Sequence, residues 1–247
     1  MRRTFAAMAL GIVIGFFPGV LAHADDMAQR QRKAMDHYMR GEERLRAEKW
    51  AEAAAEFEKA IAIHPEFVLA HYGLGQSQMA LKQFSQAVRA FSASRAAYYK
   101  MASLKFDDRM RALDTGQRML DEYRNLTGVE SRGATSKGVN ERLNVLRDLE
   151  QVKKLDDGNP EPPADISLAL AGAWFRSGNF EEAEKENKNA LKARPDYGQA
   201  HNNLAVIYML GGRIVEAQAE VALAEKAGLA VSPKLKEELA RRAAAPK

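Results

Sequence analysis

Trp50-Ala51-Glu52-Ala53-Ala54-Ala55-Glu56-Phe57-Glu58-Lys59-Ala60-Ile61-Ala62-Ile63-His64-Pro65 is the stretch whose reading decides the fold. The same frame recurs in Phe180-Glu181-Glu182-Ala183 through Ala190 to Pro195. In both, an aromatic residue is followed by alanine three and ten positions on, and by proline five after that. Alanine favours helix, and the proline marks where a helix stops. Recurrence of one helical frame points to a stacked repeat rather than a single core.

Counting back from the prolines gives units starting at Ala34, Val68, Ala164 and Gly198, with 34 residues between the members of each pair. Small residues recur in register. Position 8 is Gly41, Gly75, Ala171 and Ala205; position 20 is Ala53, Ala87, Ala183 and Ala217; position 27 is Ala60, Ser94, Ala190 and Ala224. Small side chains at fixed places let helix backbones approach, and large ones fill the gaps between. Position 24 departs from the pattern: Phe57 and Phe91 in the first pair become Asn187 and Val221 in the second. Position 32 is Tyr99 and Leu229, instead of proline, in units two and four.

Taken together, these positions resemble the tetratricopeptide-repeat (TPR) family. The resemblance implies an all-α solenoid of antiparallel helix pairs, at about 28–47 and 50–63, 67–81 and 84–98, 164–177 and 180–193, 198–211 and 214–227. Gly178-Asn179 and Gly211-Gly212 supply the left-handed turns between paired helices. In this family the inner helices line a concave groove that seats a peptide or a partner helix. Carried over, the groove residues are Tyr38, Glu42 and Leu45; Leu69, Tyr72, Gln76 and Met79; Leu168, Phe175 and Arg176; and Gln199, Asn202, Val206 and Met209. Tyr38 and Glu42 stand where some relatives place the Lys and Asn that clamp a C-terminal carboxylate, so that clamp is not reproduced.

Residues 1–24 have the layout of a secretory signal: Arg2-Arg3, an uncharged run from Phe5 to Ala22, then Ala22-His23-Ala24 before Asp25-Asp26. Cleavage after Ala24 is the expectation, with an uncleaved anchor as the alternative. Gly11, Gly15, Pro18 and Gly19 weigh against a stable spanning helix. Units one and two then occupy 25–99, an irregular helical insert and linker 100–163, units three and four 164–231, and a capping helix with a tail 232–247. The insert reads either as an enlarged hairpin continuing the stack, the favoured reading, or as a hinge between two independent pairs. Ser232-Pro233 opens the last helix, with Ser as N-cap and Pro in the first turn.

Composition narrows the chemistry. The chain of 247 residues has no cysteine, so disulfides and thiolate chemistry are excluded. Its net charge of +4 comes from 37 basic and 33 acidic residues with interleaved signs, which weighs against nucleic acid. His37, His71 and His201 share position 4 of their units and read as packing residues, not metal ligands. No carboxylate pair or phosphate loop stands out, so no catalytic residue, metal or cofactor is assigned. The expectation is a non-catalytic interaction scaffold of the cell envelope, periplasmic or secreted, with a protein or peptide partner and no membrane contact after cleavage. Two alternatives remain: an accessory subunit or enzyme using a pocket in 100–163, and a scaffold that self-associates through its last helices.

Overall fold

A computed structural model describes residues 18–103 and 163–244, with side chains from residue 29 onward in the first helix. The described residues hold nine helices and no strand. They are α1 (Pro18–Arg46), α2 (Trp50–Ile63), α3 (Val68–Ala80), α4 (Phe84–Ala102), α5 (Ala164–Arg176), α6 (Phe180–Ala193), α7 (Gly198–Leu210), α8 (Ile214–Lys226) and α9 (Pro233–Ala244). Each odd helix from α1 to α7 packs on the even helix that follows it, and each pair packs on the next. α1 starts ten residues before the expected 28, at Pro18. Proline is tolerated in a first turn because its missing N–H is unpaired there anyway. Among the described residues, no helix is long and apolar enough to cross a membrane.

The alanines at positions 20 and 27 are buried in every unit where they occur, as are Ala171 and Ala205 at position 8. Ser94, the one polar member of that set, satisfies its hydroxyl by donating to the Val68 carbonyl at 2.9 Å. Unit one sets the interlock between repeats. The Phe57 ring lies so close over Gly41 and Gly73 that a Cβ on either would fall 2.7 and 2.5 Å from it. Phe91 closes on Gly75 in the same way.

Turn geometry is also shared. Gly178 and Gly212 take positive φ, and so do Glu48 (58°) and Lys82 (60°), which occupy the same place in units one and two. The backbone path between paired helices thus requires a left-handed residue whether or not glycine is supplied. Gly211 does not take it: it is the C-cap of α7, at φ −80°.

The two pairs of repeats are one body. α4 packs directly on α5. The first core cluster accordingly runs from α1 through Tyr98 and Ala102 into Ile166, Leu170 and Ala173. Trp174 touches both this cluster and the second, formed by α6 to α9. Units two and three are therefore in direct contact, and the reading of the insert as a hairpin or a hinge falls on residues outside those described. Residues 104–162 lie outside the described residues, and with them the pocket imagined in the insert. At the far end, Leu235 and Leu239 of α9 pack on the second cluster, and Arg242 donates to the Met209 carbonyl at 3.0 Å.

One ion pair fixes the junction. Arg95 of α4 donates through Nη1 to both oxygens of Glu186 on α6, at 2.7 and 2.8 Å, and Glu186 is only 3% exposed. Removing Arg95 leaves that buried carboxylate without its cation and with only the Asn189 amide, which donates to Oε2 at 3.2 Å. Arg95→Ala is expected to cost about 3 kcal/mol of stability in urea unfolding, while the double change with Glu186→Leu recovers most of it. Glu48→Gly and Lys82→Gly should each raise stability by about 0.5 kcal/mol, because they relieve the left-handed strain against a small gain in unfolded-state freedom.

Candidate functional site

The odd helices face a concave surface. Its larger hollow, about 700 Å³, draws on Leu45 and Trp50 from unit one, Tyr72, Gln76 and Met79 from α3, and Leu168, Ala169 and Gly172 from α5. Gln199, Asn202 and Asn203 from α7 continue it, and Leu229, Ala230 and Ser232 close its end. A second hollow of about 250 Å³ adjoins it, sharing Met79, Gly172 and Asn203. Ala171, Phe175, Arg176, Asn187, Val206 and Ile207 complete its lining.

Of the residues expected in the groove, Tyr72, Gln76, Met79, Leu168, Gln199 and Asn202 line the larger hollow, as does Leu45. Phe175, Arg176 and Val206 line the smaller. Four others do not line either. Tyr38 and Leu69 are core, with the Tyr38 ring 5.8 Å from Phe57 and 5.0 Å from Phe67. Glu42 is buried, and Met209 packs on the second core cluster. Tyr38 thus packs against its own outer helix and the turn before unit two rather than facing open groove. Tyr72 lines the hollow as floor and is 1% exposed, so it supports the groove more than it offers itself to a partner.

Asp165 was not anticipated. It sits 1% exposed at the start of α5, on the groove floor. Arg194 Nη2 donates to its Oδ2 at 2.9 Å, and the Tyr197 hydroxyl to its Oδ1 at 2.5 Å. The Arg194 guanidinium also lies 4.4 Å over the Tyr197 ring. The carboxylate is therefore neutralised from below. The available signal was a Pro163-Ala164-Asp165 helix start, with Arg194 in the turn that ends the same unit.

The position-4 histidines form repeated hydrogen bonds. His71 Nε2 meets the Pro65 carbonyl at 2.8 Å, and His201 Nε2 the Pro195 carbonyl at 3.0 Å. His37 pairs with Glu56 at 2.8 Å and His201 with Glu220 at 2.6 Å, the same separation along the chain in both. In unit three, Ser167 takes the histidine's place, and Glu186, at the carboxylate's position, turns instead to Arg95 of the preceding unit. The histidines thus tie one repeat to the turn before it. Among the described residues, no group of three His, Cys, Asp or Glu could hold a metal ion.

The interlock seen in the first pair changes in the second. Where the Phe57 ring fills the slot between Gly41 and Gly73, the equivalent places hold Asn187, Ala171 and Asn203. Asn187 is 1% exposed; its Nδ2 donates to the Ala183 carbonyl at 2.8 Å, and Asn203 Nδ2 donates to its Oδ1 at 3.3 Å. The smaller hollow opens beside this amide pair.

These features define a helical-repeat protein whose accessible concavity is a groove along the inner helices. Two tetratricopeptide-repeat family models match, over residues 44–105 and 168–230, together about half of the chain. The chain belongs to the tetratricopeptide-repeat family. No curated protein matches it. Among solved structures, it is similar to PilW, a widely conserved type IV pilus biogenesis factor, at 18% identity over 85% of this chain and 86% of that one, TM-score 0.42. A thermophilic TPR protein of Thermus thermophilus aligns at 23% identity over 85% and 97%, TM-score 0.33. YrrB, a TPR protein with an unusual peptide-binding site, aligns at 13% identity over 90% and 98%, TM-score 0.31.

Charge pairs brace the wall of units three and four. Arg213, in the turn before α8, and Lys188 both bind Glu184, the latter at 2.6 Å. Arg213 also lies 4.0 Å over the Tyr208 ring. Hydrogen bonding from Arg213 and then Lys188, against the opposing effect of burial, holds the Glu184 carboxyl at about 2, below its ordinary 4.5. A depressed carboxyl stabilises the fold above its unfolded value and loses that contribution as pH falls through the folded one. The window is therefore pH 4.5 down to 2. With Arg213 and Lys188 37% and 54% exposed, screening reduces the effect to about 1 kcal/mol. Thermal melts from pH 6 to 2 should show Glu184→Gln less stable than wild type at the neutral end and converging with it in acid.

Proposed function

We infer that this protein is a non-catalytic interaction scaffold of the cell envelope, whose concave groove seats an extended peptide or a partner helix. The observation that carries this is the lining. Apolar walls (Leu45, Met79, Leu168) alternate with side-chain amides (Gln76, Gln199, Asn202, Asn203). Amides both donate and accept, as a peptide backbone requires, and apolar walls reward side-chain burial. The charged residues of the lining are Asp165 and Arg176, and Asp165 is already paired with Arg194. An envelope location is supported by Arg2-Arg3, the uncharged run to Ala22 and the small-x-small site at Ala22-His23-Ala24. Cleavage after Ala24 would release the repeats into the periplasm or the medium.

Site-specific photocrosslinking in the native host tests the groove. A probe at position 168 or 175 should trap a partner, and Gln199→Arg should abolish the trap. A probe at Val215, 80% exposed and outside the groove, should trap nothing above background. Equal labelling from 168 and 215 would remove the groove from the mechanism. Fractionation with N-terminal sequencing reads the other half: the expected envelope species begins at Asp25, and a cytosolic chain beginning at Met1 would overturn the location.

A further inference from the structure

We propose that the smaller hollow, between units three and four, is a pocket for an acidic side chain of the docked peptide, with Arg176 as its cation and the Asn187–Asn203 amide pair as its polar floor. This deepens the groove reading and rests on it.

The argument starts from the broken interlock. In the first pair, an aromatic ring seals the space between successive inner helices, held by glycines that no Cβ could replace. In unit three, position 8 carries a Cβ on Ala171, so a ring at 187 has no room. Unit four meets the same constraint with apolar Val221, which is buried. Unit three instead buries an amide, which is more costly to place than valine unless its polarity is used. Asn187 spends one N–H on Ala183 and its oxygen on Asn203. Each of the two side-chain amides has a further N–H beyond those bonds.

Charge then selects the occupant. Arg176 lines this hollow, is exposed, and forms no ion pair among the described residues. Among the described residues, no carboxylate lines the smaller hollow, and Asp165 in the larger is held by Arg194 and Tyr197. The described groove lining therefore carries one uncompensated positive charge. It stands beside amide donors and the apolar walls of Phe175 and Val206, which suit the methylenes of Asp or Glu. Because the two hollows share Met79, Gly172 and Asn203, a peptide in the larger runs past the smaller. The carboxylate is thus supplied by a side chain within the peptide rather than by its end.

The experiment uses the full chain and a phage-displayed library of random twelve-residue peptides. Selected sequences are synthesised with amidated C-termini, each also with its acidic residue changed to the amide (Glu→Gln or Asp→Asn). Affinities are read by fluorescence anisotropy for wild type, Arg176→Gln and Asn187→Leu. The expected result is enrichment of Asp or Glu at one position and about tenfold tighter binding of the acidic form. Arg176→Gln should bring that ratio to about one, and Asn187→Leu should reduce the ratio by filling the floor. Binders with no acidic enrichment, or a ratio that survives Arg176→Gln, overturn the pocket and leave the groove standing. A ratio unchanged in Asn187→Leu also overturns it, because the preference then belongs to the surface guanidinium alone. A library that yields no binder sensitive to Gln199→Arg overturns the groove reading and this proposal with it.

Discussion

The Phe57 ring pressed between Gly41 and Gly73 is the contact on which the stack depends. It lets an inner helix of one unit, its own outer helix and the inner helix of the next unit meet at a single side chain. With glycine on both sides, backbones come within reach of the ring face, and the alanines at positions 20 and 27 close the remaining gaps. Dispersion between close-packed atoms is individually small but is summed over every such junction. Once that spacing is set, turn geometry is also set, which is why Glu48 and Lys82 adopt the same left-handed conformation as Gly178 and Gly212. Global stacking overrides local preference at those two places.

The same dependence explains the second pair. Adding a methyl at position 8 removes the space for a ring, so position 24 must shrink. Units three and four then need other ties. They have them in Asp165 with Arg194 and Tyr197, and in Glu184 with Arg213. Hydrogen bonds and ion pairs carry more of the second pair, whereas aromatic rings carry the first. The junction between pairs combines both: Tyr98 and Ala102 meet Ile166 and Leu170, and Arg95 clasps Glu186. That junction makes one groove out of two short stacks, since pairs that did not touch would expose their end faces.

The proposed groove function inherits this asymmetry. The first half, sealed by aromatic rings, lines the groove with Leu45, Trp50 and Met79 beside one amide, Gln76, while the second half adds Gln199, Asn202, Asn203 and, among the described residues, one cation without an ion-pair partner. The proposed docking of a peptide would have an orientation from that difference, because a reversed peptide would place its acidic residue over Leu45 and Trp50.

The sequence by itself determined the repeat, its phase and its helices. A period of 34 residues with small residues at three fixed positions admits few other packings, and the eight helices of the four units fall close to where that period places them. Most of the residues read for the groove line one or other hollow, since residues on one helical face stay together whatever the tertiary arrangement. Tyr38, Leu69, Glu42 and Met209 line neither hollow, because facing the concave side of a helix is not the same as being reachable there: the first three are buried and Met209 packs on the second core cluster. Only the tertiary structure decided how the two pairs join, because the α4–α5 contact is made by residues more than sixty positions apart with no shared motif. It alone also turned the departure at position 24 from an irregularity into a hollow. Whether a smaller residue leaves space or is simply closed over depends on both neighbours across the junction, and those lie in different units.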